Sequence, residues 1–200
     1  SWAEDARQAG LTFFHTDFKD KIHTRGLGYL NGSTFWQAYY NVAEAVTRGL
    51  EASVVLPLVD GPGRPGVQAL TWRASATRML KAENKATGEP LTAVPKWSAS
   101  SGLDWQISDS LSASVQAELI GKQIHLDWRV ANQANNSGVQ RIQNSYVVYD
   151  LGLTYRLARQ LRVNGGIRNL FDRNPNGDVD HGNNFYTPGR RFFASLSASF

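Results

Sequence analysis

Cysteine is absent from the 200 residues, which excludes a disulfide scaffold and any thiolate metal site. Long apolar runs are missing too. The longest are a few residues, such as 54–58, far short of the roughly 20 that a membrane helix needs, so a helical membrane protein is excluded. Helical i, i+3, i+4 spacing is not sustained anywhere. Catalytic signatures are equally scarce. His15, His23, His125 and His181 lie far apart, and there is no His-Glu-x-x-His pair, nucleophile elbow or phosphate-cradling glycine loop. No catalytic residue, bound metal or cofactor is expected, and the chain is not expected to be an enzyme. It opens Ser1-Trp2-Ala3-Glu4-Asp5 with neither an initiator Met nor the pattern of a signal peptide, so a mature, trimmed or partial chain is expected.

What the sequence does have is a period of two. In the final segment Phe192, Ala194, Leu196, Ala198 and Phe200 share one face, and Arg191, Phe193, Ser195, Ser197 and Ser199 share the other. The same split separates Trp97, Ala99, Leu103, Trp105 and Ile107 from Ser98, Ser100, Gly102, Asp104 and Gln106. It recurs with Leu111, Ala113, Val115, Ala117 and Leu119 against Ser112, Ser114, Gln116 and Glu118. About eight strands are predicted, near 9–23, 35–57, 68–83, 95–108, 110–126, 144–157, 160–171 and 189–200. The pattern is least clean in the first, where Phe13 and Phe14 are adjacent, and in the third, where Arg78 falls on the apolar face.

The connections alternate in length. Those at 108–110 and 158–160 are tight and the Gly/Pro-rich 60–66 is a turn, whereas 127–143 and 172–188 are long and polar. Short turns on one side and long loops on the other, aromatics near strand ends, and strands of the length a tilted membrane crossing needs favour an all-β transmembrane antiparallel barrel over a soluble sandwich. With 21 Lys and Arg against 17 Asp and Glu, the net +4 mildly favours an anionic ligand or surface. No nucleic-acid partner is expected.

Several local motifs add to this. Residues 41–51, Asn-Val-Ala-Glu-Ala-Val-Thr-Arg-Gly-Leu-Glu, the stretch Met79 to Leu91 with Val94-Pro95-Lys96, the run Asn169-Leu170-Phe171-Asp172, and Pro188-Gly189-Arg190-Arg191-Phe192 follow one another in an order and spacing that resembles the C-terminal barrel of TonB-dependent outer-membrane receptors, most closely the catecholate, ferric-enterobactin type. The resemblance spans roughly residues 10–200.

It implies that residues 1–200 are the C-terminal portion of the barrel domain, about the last eight strands of a 22-stranded barrel whose N-terminal plug lies outside this chain. It implies a cell outer membrane location in a Gram-negative bacterium, a periplasmic C-terminus, and TonB-dependent uptake of a ferric siderophore, the iron being cargo and not a cofactor. Implied partners are the siderophore, the TonB system acting through the plug, the barrel-assembly machinery, and outer-membrane lipid and lipopolysaccharide. A ferric tris-catecholate is an anion with aromatic faces, to which guanidinium, ammonium and aromatic groups are complementary. The expected loop-side contacts are Arg25, Tyr29, Trp36, Tyr39, Tyr40, Lys122, His125, Trp128, Arg129, Arg141, Tyr186 and Arg190. The resemblance also implies that Phe192, Ala194, Leu196, Ala198 and Phe200 form the assembly signal of the closing strand. Two alternatives stay open: an independent eight-stranded barrel with a structural or adhesive role, whose narrow interior the small Ser, Gly, Thr and Asn residues would fill poorly, and a receptor for another cargo such as haem.

Overall fold

The computed structural model describes the backbone of residues 2–4, 7–19, 21–30, 34–42, 44–64, 66–132, 137–175 and 188–199, and side chains for 7–19, 44–61, 66–124, 141–175 and 188–199. Thirteen strands are described: β1 Trp2–Glu4, β2 Arg7–Phe18, β3 Lys21–Leu30, β4 Thr34–Val42, β5 Ala45–Arg64, β6 Val67–Asn84, β7 Trp97–Gln106, β8 Leu111–Ile120, β9 Gln123–Asn132, β10 Ser137–Gln143, β11 Tyr146–Ala158, β12 Leu161–Arg168 and β13 Arg191–Ala198. Nine of them form one sheet in the order β1-β2-β5-β6-β7-β8-β11-β12-β13, every neighbour antiparallel.

Eight of these nine are the expected strands. The ninth, β1, pairs Trp2, Ala3 and Glu4 with Ala9, Gln8 and Arg7, and three residues are too few for alternation to register. The connections differ more. Residues 24–30 and most of 127–143, expected outside the strands, instead lie in two hairpins, β3–β4 and β9–β10. The first follows directly on the β2–β5 pair, whose last partners are Phe18 and Ala45, and opens at Lys21 opposite Val42. The second follows on β8–β11 in the same way, from Ile120 opposite Tyr146 to Gln123 opposite Gln143.

Register brings like residues together. Leu103, Val115, Leu151 and Ile167 stand side by side across four strands, with Trp72 and Phe192 at either end of the row. The neighbouring row on the other face runs Asp104, Ser114, Gly152 and Gly166. The apolar row is not a core. Leu11 is 70% exposed, Phe13 60%, Phe192 73% and Leu196 66%, and the only buried apolar residues among those described are Ala45 and Val46. No second layer covers the sheet among the described residues, so a sandwich is excluded. A continuous apolar face this large is unfavourable in water and suited to lipid.

The two irregular places in the sequence pattern have local causes. Phe13 lies on the apolar face opposite Leu50, while Phe14 lies on the other face opposite Gly49. A Cβ at Gly49 would come within 2.6 Å of the Phe14 ring, so glycine is what lets that ring lie across the strand. Near Arg78 the β5–β6 register shifts, Gly49 pairing Met79 and Arg48 pairing Lys81, so that Leu80 is an extra residue and β6 bulges.

Candidate functional site: the long-loop rim

Antiparallel pairing sends alternate connections to opposite rims. The turns at 65–66, 107–110 and 159–160 share one rim; the connections 19–44, 85–96, 121–145 and 169–190 share the other. Chemistry concentrates on the second.

The two motifs flanking the last long connection form a single clasp. Asn169 is buried, and at φ 52° it occupies the left-handed region that Asn tolerates better than most residues. Its side-chain amide donates to the carbonyls of Arg173 (2.9 Å) and Pro188 (3.0 Å), and its Oδ1 accepts from the Arg173 N–H (2.7 Å). Its own N–H donates to Asp150 Oδ1 at 2.8 Å. Asp172, also left-handed at φ 53°, accepts the Arg190 N–H through Oδ1 (2.7 Å). Phe171 packs edge-on against Tyr149, centroids 5.3 Å apart. A chain reversal of this kind leaves backbone groups without ladder partners, and these side chains supply them. The result pins both ends of 173–188.

The connection after β2 is braced ionically. Lys85 Nζ lies 2.8 Å from Asp17 Oδ1 and 3.2 Å from Glu44 Oε2, and the Lys85 N–H donates to the Glu44 carbonyl (2.8 Å). The hydrogen bond to Asp17, then that to Glu44, holds the Lys85 ammonium above its ordinary pKa. At the base of β9–β10 the Gln123 amide donates to Gln143 Oε1 (2.7 Å).

The polar face is a wall of small residues with short cross-strand links. Arg73 pairs with Asp104 (2.8 Å), the Ser75 and Ser100 hydroxyls share a hydrogen bond (2.8 Å), Thr154 donates to Asn164 (3.0 Å), and Asn164 donates to Ser195 (3.3 Å). A shallow recess of about 530 Å³, lined by residues such as Thr71, Ser112, Thr154 and Asn164, runs along it. Nearer the long-loop rim, Glu118, Asp150, Arg168 and Arg191 line a second recess of about 340 Å³. Arg168 and Arg191 are register partners, and the Arg168 guanidinium lies 5.6 Å from the centre of the Phe193 ring. Sequence reasoning missed this pair; only the register sets two residues 23 positions apart side by side.

The expected contact residues fall on this rim wherever the structure describes them. Arg25 and Tyr29 lie on β3, with Trp36, Tyr39 and Tyr40 on β4, where Arg25 pairs Ala38 and Tyr29 pairs Phe35. His125, Trp128 and Arg129 lie on β9, and Arg141 on β10 is the register partner of His125. Arg141 is exposed and Arg190 is tied by its backbone to Asp172. Lys122 lines a depression of its own with Arg78 and Lys96. Tyr186 lies outside the described residues, as does Phe200; Phe192, Ala194, Leu196 and Ala198 share the apolar face of β13.

An antiparallel sheet with lipid-suited residues on one face, small polar residues on the other, tight turns at one rim and long connections at the other is a piece of barrel wall. Both of its outermost strands carry an unpaired edge among the described residues, so the wall is only part of a closed barrel. Residues 2–170 match the TonB dependent receptor-like β-barrel family, and the chain belongs to it. It is 35% identical, over 226 aligned positions covering all of this chain and 28% of the relative, to a ferric enterobactin receptor of Pseudomonas aeruginosa. It is 28% identical, over 98% of its length and 28% of the relative's, to the ferrienterobactin receptor of Escherichia coli. Its fold superposes on the crystal structure of a Pseudomonas aeruginosa ferric enterobactin receptor mutant in complex with enterobactin with a TM-score of 0.75 at 32% identity, covering all of this chain and 30% of that one. The chain thus spans less than a third of the length of these relatives.

Proposed function

We propose that this chain is barrel wall of an outer-membrane receptor that takes up a ferric siderophore of the catecholate class, powered by TonB. The observation that carries the reading is the match to ferric enterobactin receptors over the whole of this chain, on a wall whose two long hairpins carry cationic and aromatic residues at the rim where cargo would arrive. No covalent chemistry is called for. An anionic, aromatic complex is held by charge and stacking, then released inward by movement of a plug contributed from outside this chain.

In this reading the strand ends bearing Arg25, Tyr29, Trp36, Tyr39, Tyr40, His125, Trp128, Arg129 and Arg141 face the cell exterior, with Arg190 and the 173–188 connection beside them. The C-terminus is periplasmic, and the apolar residues of β13, with Phe200, are read by the barrel-assembly machinery. The open sheet edges weigh against a stand-alone eight-stranded barrel, because unpaired backbone groups are not tolerated in lipid.

Iron-limited growth tests the cargo. A strain carrying the intact receptor as its sole iron-siderophore route is expected to grow on a ferric catecholate and to fail on haem; growth on haem alone would reassign the cargo. For the ligand region, replacing Arg129 and Arg141 together by Ala in that receptor is expected to raise the Kd for a ferric catecholate at least about tenfold, by removing two charge-assisted contacts. An unchanged Kd would remove those residues from the binding surface.

A further inference from the structure

The two long hairpins stand apart from the wall, and one short connection is bonded to the root of each. Pairing in the wall stops at Phe18 opposite Ala45 and resumes in β3–β4 at Lys21 opposite Val42. It stops again at Ile120 opposite Tyr146 and resumes in β9–β10 at Gln123 opposite Gln143. Each hairpin is therefore a sheet of its own, continuing from the wall only where the ladder has lapsed. Between the two strand pairs that carry them lie β6 and β7, and the 85–96 connection joins those two strands.

That connection reaches both roots. On one side the Lys85 ammonium holds Asp17 near the end of β2 (2.8 Å) and Glu44 just before β5 (3.2 Å), and the Lys85 N–H donates to the Glu44 carbonyl (2.8 Å). On the other, the Ala93 N–H donates to the carbonyl of Ile124 in β9 (2.8 Å), and the Lys96 N–H to that of Lys122 just before it (3.3 Å). The stretch in between is bonded to itself and to β6. The Asn84 N–H donates to the Glu89 carbonyl and the Gly88 N–H to the Asn84 carbonyl, both at 2.8 Å, and the Leu91 N–H donates to the Ala82 carbonyl at 2.9 Å. A connection that only had to turn the chain from β6 to β7 would need these internal bonds alone; the outward ones go to both neighbours. Ala93 sits at φ 58°, a left-handed backbone unfavourable for alanine, and in that conformation its N–H meets Ile124.

We propose that the 85–96 connection is a coupler that holds the two hairpins at one relative setting, so that displacing either moves the other. Lys85 and Ala93 are its positioning residues: neither needs to touch cargo, and each acts through the hairpin root it holds. An internally bonded element tied at both ends passes a displacement on and does not absorb it. The consequence falls at the mouth. Arg25 and Trp36 on one hairpin and Arg129 and Arg141 on the other meet an arriving molecule as one unit, and ordering the first hairpin lowers the ordering cost of the second. Such coupling is reciprocal by thermodynamic necessity. The inference rests on the barrel-wall reading and is independent of the cargo.

The test uses the intact receptor in nanodiscs, without siderophore, and reads amide hydrogen exchange by mass spectrometry at the β3–β4 root (21–23 and 40–42) and the β9–β10 root (123–125 and 141–143). Lys85→Ala removes side-chain contacts at the first root only. It is nevertheless expected to speed exchange roughly threefold at both roots, the scale on which an exposed ion pair acts. Lys85→Arg, which keeps the charge, is expected to restore most of the protection at both. Ala93→Pro has no N–H to give and cannot take a positive φ, and is expected to act in the reverse direction, loosening the β3–β4 root as well as its own. Ala93→Gly, which takes that φ freely, is expected to leave both roots protected. Faster exchange confined to the altered residue's own hairpin would overturn the proposal, as would no change at either root. A uniform rise across the wall strands would overturn it too, by marking general destabilisation. Lys85→Ala and Lys85→Arg decide the matter even where Ala93→Pro fails to fold. Because the readout is exchange and not uptake, a failed growth experiment leaves this inference standing, and a failed exchange experiment leaves the transport reading standing.

Discussion

The two faces of the sheet are built from the same strands and obey opposite rules. On the apolar face, side chains stay exposed because their solvent is lipid, and two of the indole N–H groups there are tied down. The Trp72 indole N–H donates to the Ser101 hydroxyl (2.9 Å), and that of Trp105 donates to the Gly66 carbonyl (3.0 Å). On the polar face, small residues keep the wall thin and their hydroxyls and amides bond across strands. The difference teaches that neighbouring residues in one strand answer to different solvents, so equal substitutions one position apart should have unequal effects.

The strongest way to break the comparison is a charge. In the intact receptor, Val115→Arg, at the middle of β8 on the apolar face, is expected to cost roughly 2–4 kcal/mol, whereas Gln116→Arg, on the other face, should cost far less. Denaturant unfolding in detergent, followed by loss of heat-modifiable migration, measures both; equal costs would show that the faces are misassigned.

Next in size is the close approach of strands on the polar face. A Cβ at Gly166 would press on the Leu151 carbonyl and come within 2.7 Å of the Phe193 ring. Gly166→Ala is therefore expected to cost about 1–3 kcal/mol by overpacking, with part of the loss recovered when Phe193→Leu is added. The same unfolding measurement reads the recovery, and none at all would mean that the ring is not what crowds the site.

The clasp comes third. Asn169→Ala removes a buried side chain holding Arg173 and Pro188 and should cost about 1–2 kcal/mol, with proteolysis between 173 and 188 accelerated. Unchanged cleavage would show that the clasp does not restrain that connection. The smallest effect is expected at the exposed Arg73–Asp104 pair, where a double-mutant cycle should give a coupling under about 1 kcal/mol. A larger value would mean that the polar face is shielded from water more than its exposure in this chain indicates.

The legible part of the fold was the part with contrast between the faces. Strands such as 111–120 could be read because lipid on one side and water on the other force alternation, and the predicted bounds there missed by a residue at one end and six at the other. That longer overrun has a cause: 121–126 carries on into β9, a new pair beyond the apolar band. The hairpins were read only in part: the predicted strand 35–57 ran β4 and β5 together, whereas most of β3 and of β9–β10 fell in stretches read as connections because their glycines and polar residues interrupt the alternation. The Asn-Leu-Phe-Asp and Pro-Gly-Arg motifs could be seen in the sequence, but not that each exists to bond the other.

What the sequence determined by itself was the alternation, the rhythm of short and long connections, and the rim on which the cationic and aromatic residues would lie, all of them properties of residues near one another in the chain. What only the tertiary structure decided was adjacency across strands: Arg168 beside Arg191, Phe14 over Gly49, and Arg78, Lys96 and Lys122 lining one depression. Register, bulges and loop folding set those meetings, and they depend on which backbone groups find partners, a property that no single strand carries.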